Sequence, residues 1–407
     1  MPQDAPISVL PQELLSEIFL RYVAAYEMSV WSRMALRHLA LVCVDWRVAA
    51  FSTPQLWTYI QWDRLIKYPD LLAQRLERTG NVPLHIDATW LFGRSDDVTS
   101  QLLALLRDRA AQWKRVRLTA VSTDLATLAN VGFPFLEDLL VGLRLPSSSA
   151  SLAFLAHAPR LRSLEISTQV DLGPNEGYHT AFYLNALRYC ASSLEELKLG
   201  MQASRDASTA RPRPVTTVIL PSLNHITLSE NTHLVLSFIS APKLAHIALS
   251  GSQEGGNDGD VFLSLLGFLN NAGTDLVTAL DMRNITGTSA MNLVRCIERL
   301  PRLRSLTFVE CIEGATGELM GATTLRALTR TTLLPELSDL HVCYTHRVPA
   351  TTIDAWYEFA EWRAEERICE GDVIQAPKSL YANVSRGKLQ SRSPSPDYET
   401  GCTFDSI

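Results

Sequence analysis

No apolar run in this chain approaches the ~20 residues that span a bilayer; the longest, such as Phe262 to Leu269, falls far short. A membrane span is therefore not expected. The first residues show neither a basic n-region nor an apolar h-region, so no secretory signal is expected. No block of lysine and arginine occurs, and the formal net charge is −6. Phosphate binding is driven by clustered cations, so nucleic acid is excluded as the default ligand. Seven cysteines (Cys43, Cys190, Cys296, Cys311, Cys343, Cys369 and Cys402) are an odd, scattered set. They do not make the dense, even framework of a small secreted domain, and a reducing compartment fits them better. The expected location is cytoplasmic or nuclear. Cys402 stands too far from the last residue to form a prenylation box. Also missing are a Gly-x-Ser-x-Gly elbow, a His-Glu-x-x-His helix and a Gly-x-Gly-x-x-Gly fingerprint. No catalytic residue, cofactor or metal is expected.

What is present is ordinary globular material, 407 residues with 46% hydrophobic and 20% charged side chains, enough to bury a full core. The start is the most informative part. Pro11 suits a first helical position because its missing N–H would have no partner there, and Glu13 and Glu17 favour the positive end of the helix dipole. Leu14, Leu15, Ile18, Phe19 and Tyr22 recur at helical spacing, which predicts one apolar face. A second helix is predicted from about Trp31 to Phe51, stopped by Pro54, with Leu39, Val42, Cys43, Trp46, Ala49 and Ala50 on its stripe. Two such helices expose more apolar surface than they can bury on each other, which points to a docking partner. The plainer reading makes them a helical cap on the next domain.

Three segments in order carry a family resemblance: Leu10-Pro11-x-Glu13-Leu14-Leu15-x-x-Ile18-Phe19, then Leu41-Val42-Cys43-x-x-Trp46-Arg47, then Ser52-Thr53-Pro54-x-Leu56-Trp57. They resemble the F-box proteins, specifically the F-box-like proteins numerous in mushroom-forming fungi. Leu72, Leu76-Glu77-Arg78-Thr79-Gly80 and Val82-Pro83-Leu84 continue the likeness, which covers roughly the first fifth of the chain. The stretch from Leu20 to Leu39 is longer than the usual F-box connection. The resemblance implies a non-catalytic subunit of a cullin-RING (SCF-type) ubiquitin ligase, docked on a Skp-type adaptor protein. It implies adaptor contacts at Leu10, Pro11, Leu14, Leu15, Ile18, Phe19, Leu41, Val42, Cys43, Trp46 and Arg47. Such a subunit acts by proximity, raising the effective concentration of a target lysine near a charged conjugating enzyme.

Beyond Leu56 the sequence repeats. Apolar-x-x-apolar-x-apolar segments occur at Trp113-Val116-Leu118, Leu161-Leu164-Ile166, Leu194-Leu197-Leu199, Leu223-Ile226-Leu228, Leu244-Ile247-Leu249, Val277-Leu280-Met282, Leu303-Leu306-Phe308 and Leu337-Leu340-Val342, with a looser copy at Leu136-Leu139-Val141. Central positions from Leu139 to Leu340 lie 21 to 34 residues apart, overlapping the leucine-rich-repeat period and exceeding it at three places. Each unit reads as a strand followed by a helix, neither of which buries its apolar face alone, so stacking is required. Helical halves are predicted at Val98–Ala111, Ser149–His157, Ala181–Cys190, Leu234–Ser240, Phe262–Asn270, Met291–Leu300 and Leu319–Thr329. The expected fold is α/β: an N-terminal helical F-box (1–62), an irregular leucine-rich-repeat solenoid of parallel strands with convex helices (63–369), and a disordered tail (370–407). A doubly wound α/β domain is the alternative for the middle, without its glycine-rich βα turn.

Two-residue alternation turns the positions beside the buried leucines outward. The central outward row is Arg117, Glu165, Lys198, Thr227, Ala248, Asp281, Thr307 and His341; its neighbour holds Arg115, Asp138, Ser163, Glu196, His225, His246, Ser305 and Asp339. Extended faces of this kind bind proteins, so Glu165, Lys198, Thr227, Asp281, Thr307 and His341 are the candidate contacts for an unknown target protein. His341, Cys343 and His346 lack the fourth ligand of a zinc site, and the side-by-side repeat positions of His225 and His246 are ascribed to chance. The acidic, glycine-rich stretch Gly251 to Asp260 has no P-loop lysine. Thr351 to Ile368 is predicted as an amphipathic capping helix with Ile353, Trp356, Tyr357, Phe359 and Ala360 on its apolar side. Ser393-Pro394 and Ser395-Pro396 have the form of sites for proline-directed kinases. A scaffold without ubiquitin transfer is the alternative function, and an α/β enzyme a third.

Overall fold

The computed structural model describes residues 10–25, 31–61, 68–89, 97–121, 125–144, 152–170, 179–203, 216–251, 260–271, 276–285, 288–310, 319–330, 333–344, 348–363, 367–369, 372–374 and 378–383. The chain forms two compact units, Met1–Gln169 and Val170–Ile407. The expected boundary at residue 62 falls within the first unit and lies outside the described residues.

In the first unit three helices come first: α1 (Gln12–Ala24), α2 (Trp31–Val42) and α3 (Val44–Phe51). The single helix predicted from Trp31 to Phe51 is corrected to two. Cys43 adopts an extended backbone at φ −156° and caps α3, its Sγ accepting from the Trp46 N–H. A small core of Leu15, Phe19, Leu36, Leu39, Ala49, Ala50, Leu56 and Trp57 holds the helices together. The indole N–H of Trp57 donates to the Ala50 carbonyl at 2.9 Å. Helix α4 (Pro69–Thr79) is clamped to this core, with the Arg78 guanidinium 4.5 Å from the ring centres of both Phe51 and Trp57. Gly80 ends α4 with φ +55°, a conformation glycine alone adopts without strain. The Leu-Glu-Arg-Thr-Gly run thus does structural work at its arginine and its glycine.

Strands β1 (Tyr59–Gln61), β2 (Leu84–Ala88), β3 (Trp113–Val121), β4 (Asp138–Arg144) and β5 (Ser163–Val170) pair in chain order, all parallel. Helix α4 and a further helix, Asp97–Arg107, make the early crossovers. The crossover between β4 and β5 differs from prediction. Of the helix expected over Ser149–His157, the described part is a short 3-10 turn, Ala153–His157.

The second unit repeats the scheme. After β6 (Glu196–Ala203) and the two-residue β7 (Val218–Ile219) come β8 (His225–Ser229), β9 (Ile239–Ser240), β10 (His246–Ser250), β11 (Ala279–Arg283), β12 (Ser305–Glu310) and β13 (Asp339–Tyr344). The main ladder runs β6-β8-β10-β11-β12-β13, parallel throughout. Its crossovers include helices Val261–Asn271, Ala290–Glu298 and Ala322–Arg330. A 3-10 segment, Glu230–Phe238, stands where a helix over Leu234–Ser240 was predicted, and Ile239 with Ser240 pairs as a strand instead. The repeat there is only 21 residues long, too short for a full α-helical crossover beside its strand.

One backbone motif marks each new rung: a carbonyl just before the previous strand accepts two successive N–H groups. Asn224 O takes Ala245 and His246, Ala245 O takes Thr278 and Ala279, Thr278 O takes Arg304 and Ser305, and Arg304 O takes Ser338 and Asp339. The same motif corrects the C-terminal boundary. Ser338 O accepts from Lys378 and Ser379, and Ser379–Asn383 forms a last parallel strand, β16, beside β13. Before it, β14 (Arg367–Cys369) and β15 (Asp372–Ile374) make an antiparallel pair. Residues 372–374 and 379–383, expected to lie in the tail, are therefore strands; Ser393 and Ser395 lie outside the described residues. The capping helix is Ala350–Arg363 rather than Thr351–Ile368; Trp356 and Phe359 are buried as expected, while Tyr357 faces outward. Arg363, fully buried at the end of this helix, donates to the carbonyls of Leu333 and Leu334. Burial pulls its pKa down to about 10.

Gly251 closes β10 where the next rung comes closest. Its N–H donates to the Arg283 carbonyl at 2.8 Å, and a Cβ placed there would collide with the Asn284 backbone carbonyl. Backbone cannot retreat as a side chain can, so Gly251→Ala is expected to destabilise the second unit by about 1–3 kcal/mol. Chemical denaturation monitored by far-UV circular dichroism checks this; an unchanged midpoint would show that the rung has slack.

Candidate functional site: an apolar helical handle and a polar strand face

The N-terminal helices divide the predicted adaptor residues into two groups. Leu15 and Phe19 are in the small core, with Phe19 wholly inaccessible. They hold the helices together, and of the two only Leu15 keeps a trace of accessible surface. Leu10 and Trp46 pack against that core, Trp46 with its ring 4.9 Å from Phe19. Pro11, Leu14, Ile18, Leu41, Val42, Cys43 and Arg47 remain exposed. The stripe read as one face is two: Leu15 and Phe19 point in, while Leu14, Ile18 and Tyr22 point out.

The exposed set also holds residues that the sequence reading missed. Val44, Val48 and Phe51 recur at four- and three-residue spacing on α3, and Val44 is 68% exposed. Their signal was present but out of phase, because a continuous helix through Cys43 assigns them to a different face. With the cap at Cys43 recognised, the spacing marks a second outward stripe. Met34 on α2 is exposed as well. Arg47, also exposed, donates to the Ala40 carbonyl at 3.0 Å and so braces the α2–α3 corner. Side chains of Gln12 and Ser16 bond to Ser52 and Thr53, tying the start of α1 to the end of α3.

The strand faces follow the predicted alternation. In the second unit Leu197, Ile226, Ile247, Leu280, Leu306 and Leu340 are in register and fully buried. Lys198, Thr227, Ala248, Asp281, Thr307 and His341 align one residue on, none of them buried. Glu165 takes the equivalent position in the first unit, beside Leu140 and then Arg117. Lys198 pairs with Glu196 at 2.9 Å.

His225 and His246, whose alignment was ascribed to chance, are cross-strand partners with ring centres 4.2 Å apart. They belong to a hydrogen-bonded row. Nε2 of His225 lies 3.2 Å from the Thr227 hydroxyl; Nε2 of His246 donates to Oδ2 of Asp281 at 3.2 Å; and Thr307 also donates to Asp281. Partial burial, then the neighbouring His246, pushes the His225 pKa down. The hydrogen bond from His246 holds the Asp281 carboxyl below the usual carboxylate range, against the opposing effect of its own burial. Further along, His341 stacks on Tyr381 at 4.4 Å with a 17° interplanar angle.

Little in this arrangement offers chemistry. Among the described residues no three His, Cys, Asp or Glu side chains are grouped to hold a metal ion, and His346 lies outside those residues. Burial pushes the thiols of Cys190 and Cys296 up to about 12, so neither is a nucleophile at neutral pH. No described helix is long and apolar enough to cross a membrane.

No protein-family model matches the chain, and a search of curated proteins finds no match. Among solved structures, the chain is similar to a crystal structure of a protein from Bacteroides fragilis, with 12% identity and a TM-score of 0.33. The likeness covers 55% of this chain and 64% of that one. The matched region is thus under two thirds of that protein.

Because the folded Asp281 carboxyl ionises at a lower pH than an unfolded one, the native state binds fewer protons across that interval. Its contribution is present above the ordinary carboxylate pKa of about 3.9 and is lost as pH falls through the folded value. Asp281→Asn is therefore expected to cost about 1–2 kcal/mol at neutral pH, with the gap from wild type closing in acid. Urea denaturation of both proteins across the acid range checks this; a gap independent of pH would contradict the assigned cause.

Proposed function

We propose that this chain is a non-catalytic substrate receptor of a cullin-RING (SCF-type) ubiquitin ligase. In this reading the N-terminal helices are an F-box that docks on a Skp-type adaptor, and the repeats are an irregular leucine-rich-repeat array that presents a target protein. One observation carries it. A preformed helical unit with its own core leaves Leu14, Ile18, Leu41, Val42, Val44 and Val48 in water. Burying large side chains of that kind is worth roughly 1.5–3 kcal/mol each, and soluble proteins seldom leave such groups uncovered without a use. The alternative of a cap on the next domain has less support, because a cap would turn these residues toward the strands it covers.

The chemistry of such a receptor is positional. An adaptor held at the helices and a target held at the strand face bring the target's lysines to a charged conjugating enzyme, raising effective concentration without a catalytic side chain. The scaffold reading, with adaptor bound and no ubiquitin transferred, uses the same surfaces. It is separated by whether a bound partner is turned over in a ligase-dependent way.

Two substitutions distinguish docking from stability. Val44→Asp with Leu14→Asp puts charge into a surface that must dehydrate to bind, and is expected to abolish co-purification with a Skp-type adaptor while leaving the melting temperature near wild type. Phe19→Ala opens a cavity in the small core and is expected to cost about 3–5 kcal/mol of stability. Adaptor retained by the double variant would sink the docking assignment. Mass spectrometry of proteins captured by the wild type, on the same beads, identifies the target.

A further inference from the structure

The outward face of β10, β11, β12, β13 and β16 is aligned residue by residue. Its two central rows are His246, Ala279, Ser305, Asp339 and Ser379, then Ala248, Asp281, Thr307, His341 and Tyr381. Ten positions thus hold two carboxylates, two imidazoles and a phenol ring, and no lysine or arginine. None of the ten is buried except in part; among the described residues neither aspartate has a lysine or arginine ion pair, and Asp281 lies 3.2 Å from His246.

Both carboxylates are held by hydrogen-bond donors. Asp281 accepts from His246 and Thr307. Asp339 accepts from Ser338 at 2.6 Å and from Ser379 at 2.7 Å. These donors fix each carboxylate and favour its ionised form. The cations nearby are Arg283, two residues beyond Asp281 on the same strand, Lys378 just before β16, and Arg304, already paired with Glu336 at 3.0 Å. Beside Asp339 the His341–Tyr381 stack presents a flat π surface, which attracts ammonium and guanidinium groups.

Spacing restricts the partner further. Asp281 and Asp339 are two strands apart, about 10 Å across the sheet, and offset by one side-chain repeat, about 7 Å along it. Two basic side chains two or three residues apart on an extended segment reach both, with room for one to lie over the aromatic stack.

We propose that this face binds an extended, basic peptide segment of a partner protein, with Asp281 and Asp339 each taking a lysine or arginine and the His341–Tyr381 stack covering one of them. The proposal rests on the reading of the strand face as the target surface, and it names the chemistry of that target. An acidic segment would meet two carboxylates of its own sign, and an apolar one would strip water from them without return.

Fluorescence anisotropy of the full chain with labelled peptides tests it, using an alternating arginine–serine peptide and its alternating glutamate–serine counterpart. The basic peptide is expected to bind, to weaken as salt rises, and to lose about tenfold in affinity with Asp339→Asn. The acidic peptide is expected not to bind. Asp339→Asn on β13 and Tyr381→Ser on β16 serve as the main variants, each compared with wild type in melting temperature so that lost affinity is separated from lost stability. Equal binding of both peptides, unchanged affinity in Asp339→Asn and Tyr381→Ser, or no binding of the basic peptide overturns the proposal. The measurement contains no adaptor, so a failure of adaptor docking and a failure of this face are read separately.

Discussion

Each rung from β8 to β13 in the main ladder is set by one constraint: a strand of five or six residues must bury two alternate side chains against a crossover that cannot bury its own. The register follows. Ile226, Ile247, Leu280, Leu306 and Leu340 occupy the same depth, and Leu228, Leu249, Met282, Phe308 and Val342 repeat it two residues on. A one-residue slip on any strand would put both leucine rows in water and the polar row inside. The doubled hydrogen bond to the carbonyl before each strand fixes the start of the next. Because the strand positions are fixed in this way, the crossovers can vary from an eleven-residue helix, Val261–Asn271, to the nine-residue 3-10 segment Glu230–Phe238.

The same constraint separates structure from recognition. Side chains at the buried positions have no freedom to serve a ligand, whereas those between them are fixed in spacing and free in chemistry. The row His225, His246, Asp281 and Thr307 shows what that freedom produces, a hydrogen-bonded band across four strands with little bearing on the core. At the other end of the chain the division runs within single helices. Phe19 and Leu15 close a core with Trp57, while Leu14 and Ile18 on the same helix stay outside. Arg78, lying against Phe51 and Trp57, joins that core to α4, so the helices and the first repeats behave as one compact unit.

Much of the repeat architecture was legible in the sequence. The apolar-x-x-apolar-x-apolar signal placed each central leucine in its observed register, because two-residue alternation between buried and solvated sides leaves a strong pattern even when the period wanders. Crossovers are less legible: Leu152, Phe154 and Leu155 are spaced well enough for a helix, yet the described part is a 3-10 turn. The break at Cys43 was hidden because Val42, Cys43 and Val44 continue an apolar pattern, and a thiol cap leaves no strong sequence mark. Without that break, spacing alone does not turn Val44 and Val48 outward. The last strand, β16, sits in a stretch too short and too polar to stand out, and its place is made by the Ser338 carbonyl rather than by its own side chains.

The central claim is that the uncovered helical stripes are a docking surface for a Skp-type adaptor. Hydrogen–deuterium exchange of the full chain, with and without purified adaptor, tests it most directly. The account predicts slowed exchange in Gln12–Ala24, Trp31–Val42 and Val44–Phe51 on addition of adaptor, with the strands β8 to β13 unchanged. Unaltered exchange in those helices, or protection confined to the strands, would contradict it.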